Sequence, residues 1–290
     1  MESNSKLKNV KKILFVGLFF LSVVMNAQAT RFVYQVTSTP DATNLSDKKT
    51  ELAYLDVDGK KSVFYAENRV KRDSVMERMR STRTFDMSQM ENFRSNINYI
   101  IEKNYEDQSV KFKDRIGRDN YVYKETQPIE WKILPESVKI GEYKTQKAEA
   151  DFGGRKWYAW FTMDLPVQDG PYKFNGLPGL VVKAQDEKDE YSFDLMQVKK
   201  LNAMPELNQM GQDISLTKEK FQKTYETFRK DPEAFMQNSG GGMRGPGGGG
   251  QGGPGGMRGG GNGPDQNRMK EMRERMLKEI KSNNNPIELK

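Results

Sequence analysis

From Thr30 to about Leu201 the chain is a succession of short segments in which apolar and polar residues alternate. In "RFVYQVT", Phe32, Tyr34 and Val36 oppose Arg31, Val33 and Gln35, the period of two of a strand with one buried face. "ELAYLDVDGKKSVFYAE" sets two β-rich runs around Asp58-Gly59, a dipeptide suited to the positive φ angles of a tight hairpin. The pattern resumes through "INYIIEKN", "QSVKFKD", "NYVYKE" and "EWKIL", each roughly 5 to 8 residues long, as an antiparallel meander requires. Two further hairpins follow. One turns at Gly153-Gly154, with Trp157, Ala159 and Phe161 opposite Tyr158 and Trp160, and the other turns in the charged patch from Asp186 to Glu190.

Helical spacing is rare by comparison. "NRVKRDSVMERMRS" carries a weak stripe of Val70, Val75, Met76 and Met79, and "SLTKEKFQKTYETFRK" places Phe221, Tyr225 and Phe228 on one face behind a Thr217 N-cap. The expected fold is therefore mainly β (α+β): a curved antiparallel meander sheet with one or two amphipathic helices, a carrier-like half-barrel in its extreme form. Many consecutive strands without intervening helices argue against a parallel α/β fold.

The ends divide the chain further. Lys6, Lys8, Lys11 and Lys12 precede the apolar run Ile13 to Val24 and the small-residue site Ala27-Gln28-Ala29, the layout of a secretory signal peptide. That run, about a dozen residues, is shorter than the roughly 18 to 20 that span a bilayer. Residues 1–29 are read as signal peptide, 30–239 as a single antiparallel β domain with a helix near 217–230, 240–264 as a glycine-rich disordered loop, and 265–290 as a helix and final short strand of the same domain. Sixteen of the 26 glycines fall between Gly240 and Gly263, a composition that cannot bury enough apolar surface to offset backbone ordering. The protein is expected in the periplasm or outside the cell, with no transmembrane segment after cleavage. It is not expected to be a lipoprotein, because no cysteine is available to carry a lipid.

The chain has neither cysteine nor histidine. Disulfides, Ser-His-Asp and Cys-His nucleophile systems and ordinary zinc sites are excluded on that ground. A net charge of +7 falls to +4 once the four lysines and one glutamate of the signal are removed, too small and dispersed to argue for nucleic acid. No catalytic residue and no cofactor is assigned. The enzyme alternative is a hydrolase using Asp164 or Asp169, with Asp151 nearby; the bland reading of all three is turn-capping or solvated loop carboxylates. A second alternative is soft-metal (copper) binding by the thioethers of Met269, Met272 and Met276, against the bland reading of a flexible apolar helix face.

The stretch "GPYKFNGLPGLVVKAQD" runs into a strand, whereas a phosphate-cradling glycine loop opens a helix, so a nucleotide site is not expected. Pro171 and Pro178 place turns, Gly176 and Gly179 permit positive φ or close backbone approach, and Leu177 is free to drop into the core. A rigid corner of the sheet is the favoured reading. The rim of a binding cleft, formed by Trp157, Trp160, Asp164, Pro171, Tyr172, Gly176, Leu177, Pro178 and Gly179, is the functional one.

Together, "WYAWFTMDLPVQDGPYKFNGLPGLVVKAQD", "YSFDLMQV" and the terminal "NNNPIELK" resemble the GLPGLI family of Bacteroidetes exported proteins. The hexapeptide stands here as Gly176-Leu177-Pro178-Gly179-Leu180-Val181, with Val181 for isoleucine. The resemblance implies an envelope protein of uncharacterised activity, without assigned catalytic residues and considered together with outer-membrane TonB-dependent transport. The function expected is non-enzymatic binding of a lipid, a peptide or an outer-membrane transport partner.

Overall fold

The computed structural model describes residues 29–83, 90, 92–207, 211–238 and 266–289. The predicted signal peptide up to residue 28, the glycine-rich segment 240–264 and the Met269, Met272 and Met276 side chains lie outside them.

Among the described residues the strands are β1 (Ala29–Ser38), β2 (Lys49–Val57), β3 (Lys61–Ala66), β4 (Ile100–Asn104), β5 (Ser109–Ile116), β6 (Asp119–Glu125), β7 (Lys132–Ile140), β8 (Tyr143–Phe152), β9 (Arg155–Thr162), β10 (Leu180–Asp186), β11 (Tyr191–Leu201) and β12 (Asp213–Ser215). They form one twelve-stranded sheet in the order β12-β6-β5-β4-β3-β2-β1-β11-β10-β9-β8-β7. Pairing is antiparallel except where β12 runs parallel to β6. Two local meanders, β2 to β6 and β7 to β11, are joined by β1, which pairs β2 on one side and β11 on the other.

One core gathers Phe112 and Tyr123 from one wing of that order with Trp157 and Phe161 from the other. Side chains so far apart along the sheet share a core only if the sheet curls around them. The fold is thus mainly β, with an open, curved sheet. On the opposite face a smaller cluster of Val63, Tyr65 and Ile100 lies under Val70, Met204 and Leu207.

Among the described residues the helices are α1 (Glu67–Thr82), α2 (Lys218–Lys230), α3 (Pro232–Asn238) and α4 (Gln266–Ser282). Thr217 caps α2 by accepting from the Lys220 N–H, and Phe221 points into the core between Phe112 and Tyr123 at ring separations of 5.5 and 5.0 Å. Among the described residues no helix is long and apolar enough to cross a membrane.

Local details depart from the sequence reading in instructive ways. Neither Asp58 nor Gly59 adopts positive φ; the Asp58 carboxylate closes that turn by accepting from the Lys60 and Lys61 N–H groups at 2.8 and 2.9 Å. The Gly153-Gly154 turn does use positive φ, 62° and 79°. Strand β7 continues past "EWKIL" through Pro135, and its pairing with β8 is irregular between Ile133 and Ser137, as a proline on an edge strand requires. The short strand expected at the end is instead an irregular strap over residues 283–289, fixed by side-chain bonds and isolated backbone bonds to Pro40 and Gly153 rather than a ladder.

Candidate functional site

After β9 ends at Thr162 the chain leaves the sheet, crosses its inner face and returns at Leu180. The path is dictated by glycine. A Cβ on Gly179 would stand 2.1 Å from the Thr162 carbonyl oxygen, and one on Gly170 would stand 2.7 Å from both the Phe174 carbonyl and the Val181 side chain. No other residue allows backbone to pass backbone there. Gly176 faces open space but sits at φ +87°, so its requirement is conformational.

Between these points the loop points inward. Tyr172, Lys173, Phe174 and Leu177 are all buried, and Phe174 meets the Trp157 ring at 4.7 Å. Tyr172 is held in the left-handed region at φ 53°, where a non-glycine residue persists only if its surroundings over-determine it. Here they do: its ring contacts Tyr99, Phe152, Phe174 and Phe193, and its hydroxyl donates to Glu288 at 2.6 Å. The Trp131 indole N–H donates to the Asn175 carbonyl at 2.8 Å and covers the outer flank.

Charged groups are buried beneath the loop. Lys103 of β4 pairs with Asp169 and donates to the Gly170 and Tyr172 carbonyls at 2.5 and 3.1 Å. Asp169 also accepts from the Tyr105 hydroxyl at 2.6 Å and the Gly170 N–H at 2.7 Å. Burial lowers the Lys103 ammonium and raises the Tyr105 hydroxyl, the latter helped by Asp169. Lys173 lies 2.5 Å from both Glu125 and Glu288, and Lys218 of α2 reaches the same two carboxylates at 3.1 and 2.8 Å. Burial pushes the Glu288 carboxyl up, but Lys173 and Lys218 outweigh it and hold the group below the usual carboxylate range.

Arg155 completes the assembly. It pairs with Asp186 at 2.8 Å and Glu190 at 2.6 Å, and donates to the Asn285 side chain and to the Pro286 and Ile287 carbonyls at 2.5, 2.9 and 3.1 Å. Gly153 admits the strap, since a Cβ there would fall 2.8 Å from the Glu288 side chain, and its carbonyl accepts from the Leu289 N–H. These ion pairs tie four strands, α2 and the strap to the loop. Their donors and acceptors are consumed internally, which makes them a clamp and not reactive equipment.

Open space lies elsewhere. A cavity of about 1090 Å³ is walled by α1, the end of β5, residues 205–207, α2 and α4. Its lining includes Arg69 and Arg72 of α1, Asp114 of β5, Tyr225 and Phe228 of α2, and Ile280 of α4. The Arg69 Nε is buried without a hydrogen-bond partner, and burial lowers this guanidinium below its ordinary range. Asp114 accepts from the Arg115 N–H at 2.7 Å. Burial pushes its carboxyl up to about 7, against smaller opposing effects of that bond and of Arg69.

The residues singled out from sequence fall into two groups. Trp157, Pro171, Tyr172, Leu177 and Gly179 are buried and Trp160 is partly so, whereas Asp164, Gly176 and Pro178 are exposed. None of them lines the cavity. Asp164 and Asp169 are not brought together in a cleft: the former is exposed and the latter is enclosed with Lys103. Arg69 and Asp114 were missed, although Asp114 carried a signal. It occupies an inward position between Phe112 and Ile116 in the alternation of β5, where a carboxylate is out of pattern.

Residues 152–183 match the sequence pattern of a family described as a protein of unknown function, Porph_ging. No curated protein matches the chain. Among solved structures, two crystal forms of PNGF-II are similar at 16% and 17% identity, with TM-scores of 0.49 and 0.48, over 68% of this chain. The chain spans about a third of the length of those proteins, 33% and 32%. A domain assigned to outer-membrane lipoprotein sorting in Vibrio parahaemolyticus is similar at 8% identity and a TM-score of 0.27, over 63% of this chain and 89% of its own.

Proposed function

We propose that the chain is an exported, GLPGLI-type envelope protein that holds a lipid or peptide ligand without transforming it, and that the ligand occupies the cavity under α1. One observation carries this reading: a space of about 1090 Å³ whose walls mix guanidinium groups with aromatic and aliphatic side chains. That volume and lining suit a bound organic molecule. The chain's lack of histidine and cysteine removes the usual nucleophile systems from such a site. The motif loop then has a supporting role, filling the inner face of the sheet so that the cavity is displaced to the sheet's end.

The test is native mass spectrometry of the protein released from an envelope fraction without detergent, alongside a Ser74→Trp variant that narrows the cavity. An adduct on the wild-type protein that is lost from the variant supports the assignment. A wild-type protein that carries no adduct and takes up none from an envelope lipid and peptide extract overturns it.

A further inference from the structure

We infer that the ligand of this cavity is an amphiphile with an anionic head, a carboxylate or phosphate, seated on Arg69 and Arg72, and an apolar body against Tyr225, Phe228 and Ile280. The inference rests on the assignment of the cavity as the binding site and adds the chemistry of its occupant. Arg69 is the starting point. Its Nε is a buried donor with no acceptor, an arrangement costly enough that native proteins rarely leave it uncompensated. Neither Arg69 nor Arg72 has an ion pair among the described residues. A planar guanidinium with free donors is matched by carboxylate or phosphate oxygens, which accept from it in pairs.

The carboxylates of the same wall do not already supply that acceptor. Asp73 and Asp114 act on Arg69 through space without a hydrogen bond to it. Burial raises both carboxyls, Asp114 to about 7, so Asp114 carries less negative charge near neutral pH than an exposed acid and repels an incoming anion less. Glu279 is engaged by Arg94 at 3.3 Å, and Lys113 is engaged by Asp213. Glu77 is engaged by Arg80 at 3.7 Å, and among the described residues neither Glu77 nor Glu206 pairs with Arg69 or Arg72, so these two guanidinium groups face the cavity without an ion pair. Tyr225, Phe228 and Ile280 provide apolar surface in the same enclosure, which suits a ligand with one charged end.

A peptide is the less favoured occupant for a structural reason. Extended peptides are commonly held by an unpaired sheet edge, but β5, the strand on the cavity wall, is paired on both sides by β4 and β6. The helices that form the rest of the wall satisfy their own backbones.

The experiment measures binding of the fluorescent probe 11-(dansylamino)undecanoic acid and of its methyl ester to the full mature chain and to Arg69→Gln. The acid is expected to bind the wild-type protein about tenfold or more tightly than the ester, and Arg69→Gln to bring the acid-to-ester affinity ratio close to one. Displacement of the probe by lysophosphatidic acid as well as by undecanoic acid assigns the site to anionic heads generally; displacement by undecanoic acid alone narrows it to carboxylates. Equal binding of acid and ester by the wild-type protein overturns the anionic head while the cavity assignment stands, and this comparison holds even if the variant fails to fold. Displacement by a hydrophobic tetrapeptide but not by undecanoic acid overturns the amphiphile. Binding of neither probe, with no adduct in native mass spectrometry, removes the cavity assignment itself.

Discussion

Replacing Lys103 by methionine keeps an unbranched apolar chain of similar length and removes only the ammonium. That ammonium is about 1% exposed and its partner Asp169 is fully enclosed. The Lys103→Met protein loses the ion pair and the donors to the Gly170 and Tyr172 carbonyls, leaving Asp169 with the Tyr105 hydroxyl and the Gly170 N–H. Breaking a buried pair from one side costs about 3–5 kcal/mol, because the remaining charge is uncompensated. The two surviving donors to Asp169 soften that penalty, which places the expected loss near the lower end, about 3 kcal/mol. Lys103→Met/Asp169→Asn removes the stranded charge while keeping an acceptor for Tyr105, and is expected to recover about half of it. Urea unfolding followed by tryptophan fluorescence measures both, since Trp131 and Trp157 touch the loop directly. A loss below about 1 kcal/mol in the single variant, or strict additivity in the double, would refute the clamp argument.

Other expectations follow from the same geometry. Gly179→Ala forces a methyl group against the Thr162 carbonyl and should cost about 3 kcal/mol or more, whereas Gly176→Ala meets open space and should cost only the left-handed strain, about 1–2 kcal/mol; equal losses in thermal unfolding would contradict this division. Asp114, facing Arg69, Tyr99, Tyr123 and Tyr225, keeps its proton up to about pH 7 in the folded protein rather than the usual 3.8. The folded state therefore binds the proton more tightly, and stability falls as pH rises from about 4 to 7, by about 2–4 kcal/mol relative to Asp114→Asn. Denaturant titrations of both proteins across that window test the sign, and parallel curves would count against it. Arg155→Met should free the strap, so that limited proteolysis cuts near residues 283–289 in the variant and not in the parent.

What sequence reveals here follows the range of the interaction involved. Hairpins such as β8 and β9 were legible because alternation and the Gly153-Gly154 turn are local. The inward fall of Leu177 was also legible, from the glycines and prolines around it. The pairing of β1 with β11 was not, since their registers join residues 153 to 172 positions apart, from Ser38–Tyr191 to Ala29–Leu201, and nothing in either segment names the other. Lys103 and Lys173 read as ordinary charged residues until the loop and strap that bury them are in place. The cavity escaped notice for a related reason: Arg69 looks like one more charge on a highly charged helix, and only its buried, unpartnered Nε separates it from its neighbours.

The strap also sets the order in which this protein can become itself. Arg155 gains its Asn285 partner only after 130 further residues have been added, and Tyr172 waits 116 residues for Glu288. While the chain is still emerging from the ribosome, the motif loop lacks its strap, and Lys173 and Lys218 lack Glu288, one of the two carboxylates they share. Closure of such distant contacts is slow by nature. Until residues 285 to 289 arrive, the sheet has all its described strands but not the strap that fastens the motif loop over its aromatic interior, a vulnerable interval in which a holding chaperone would have most to grip.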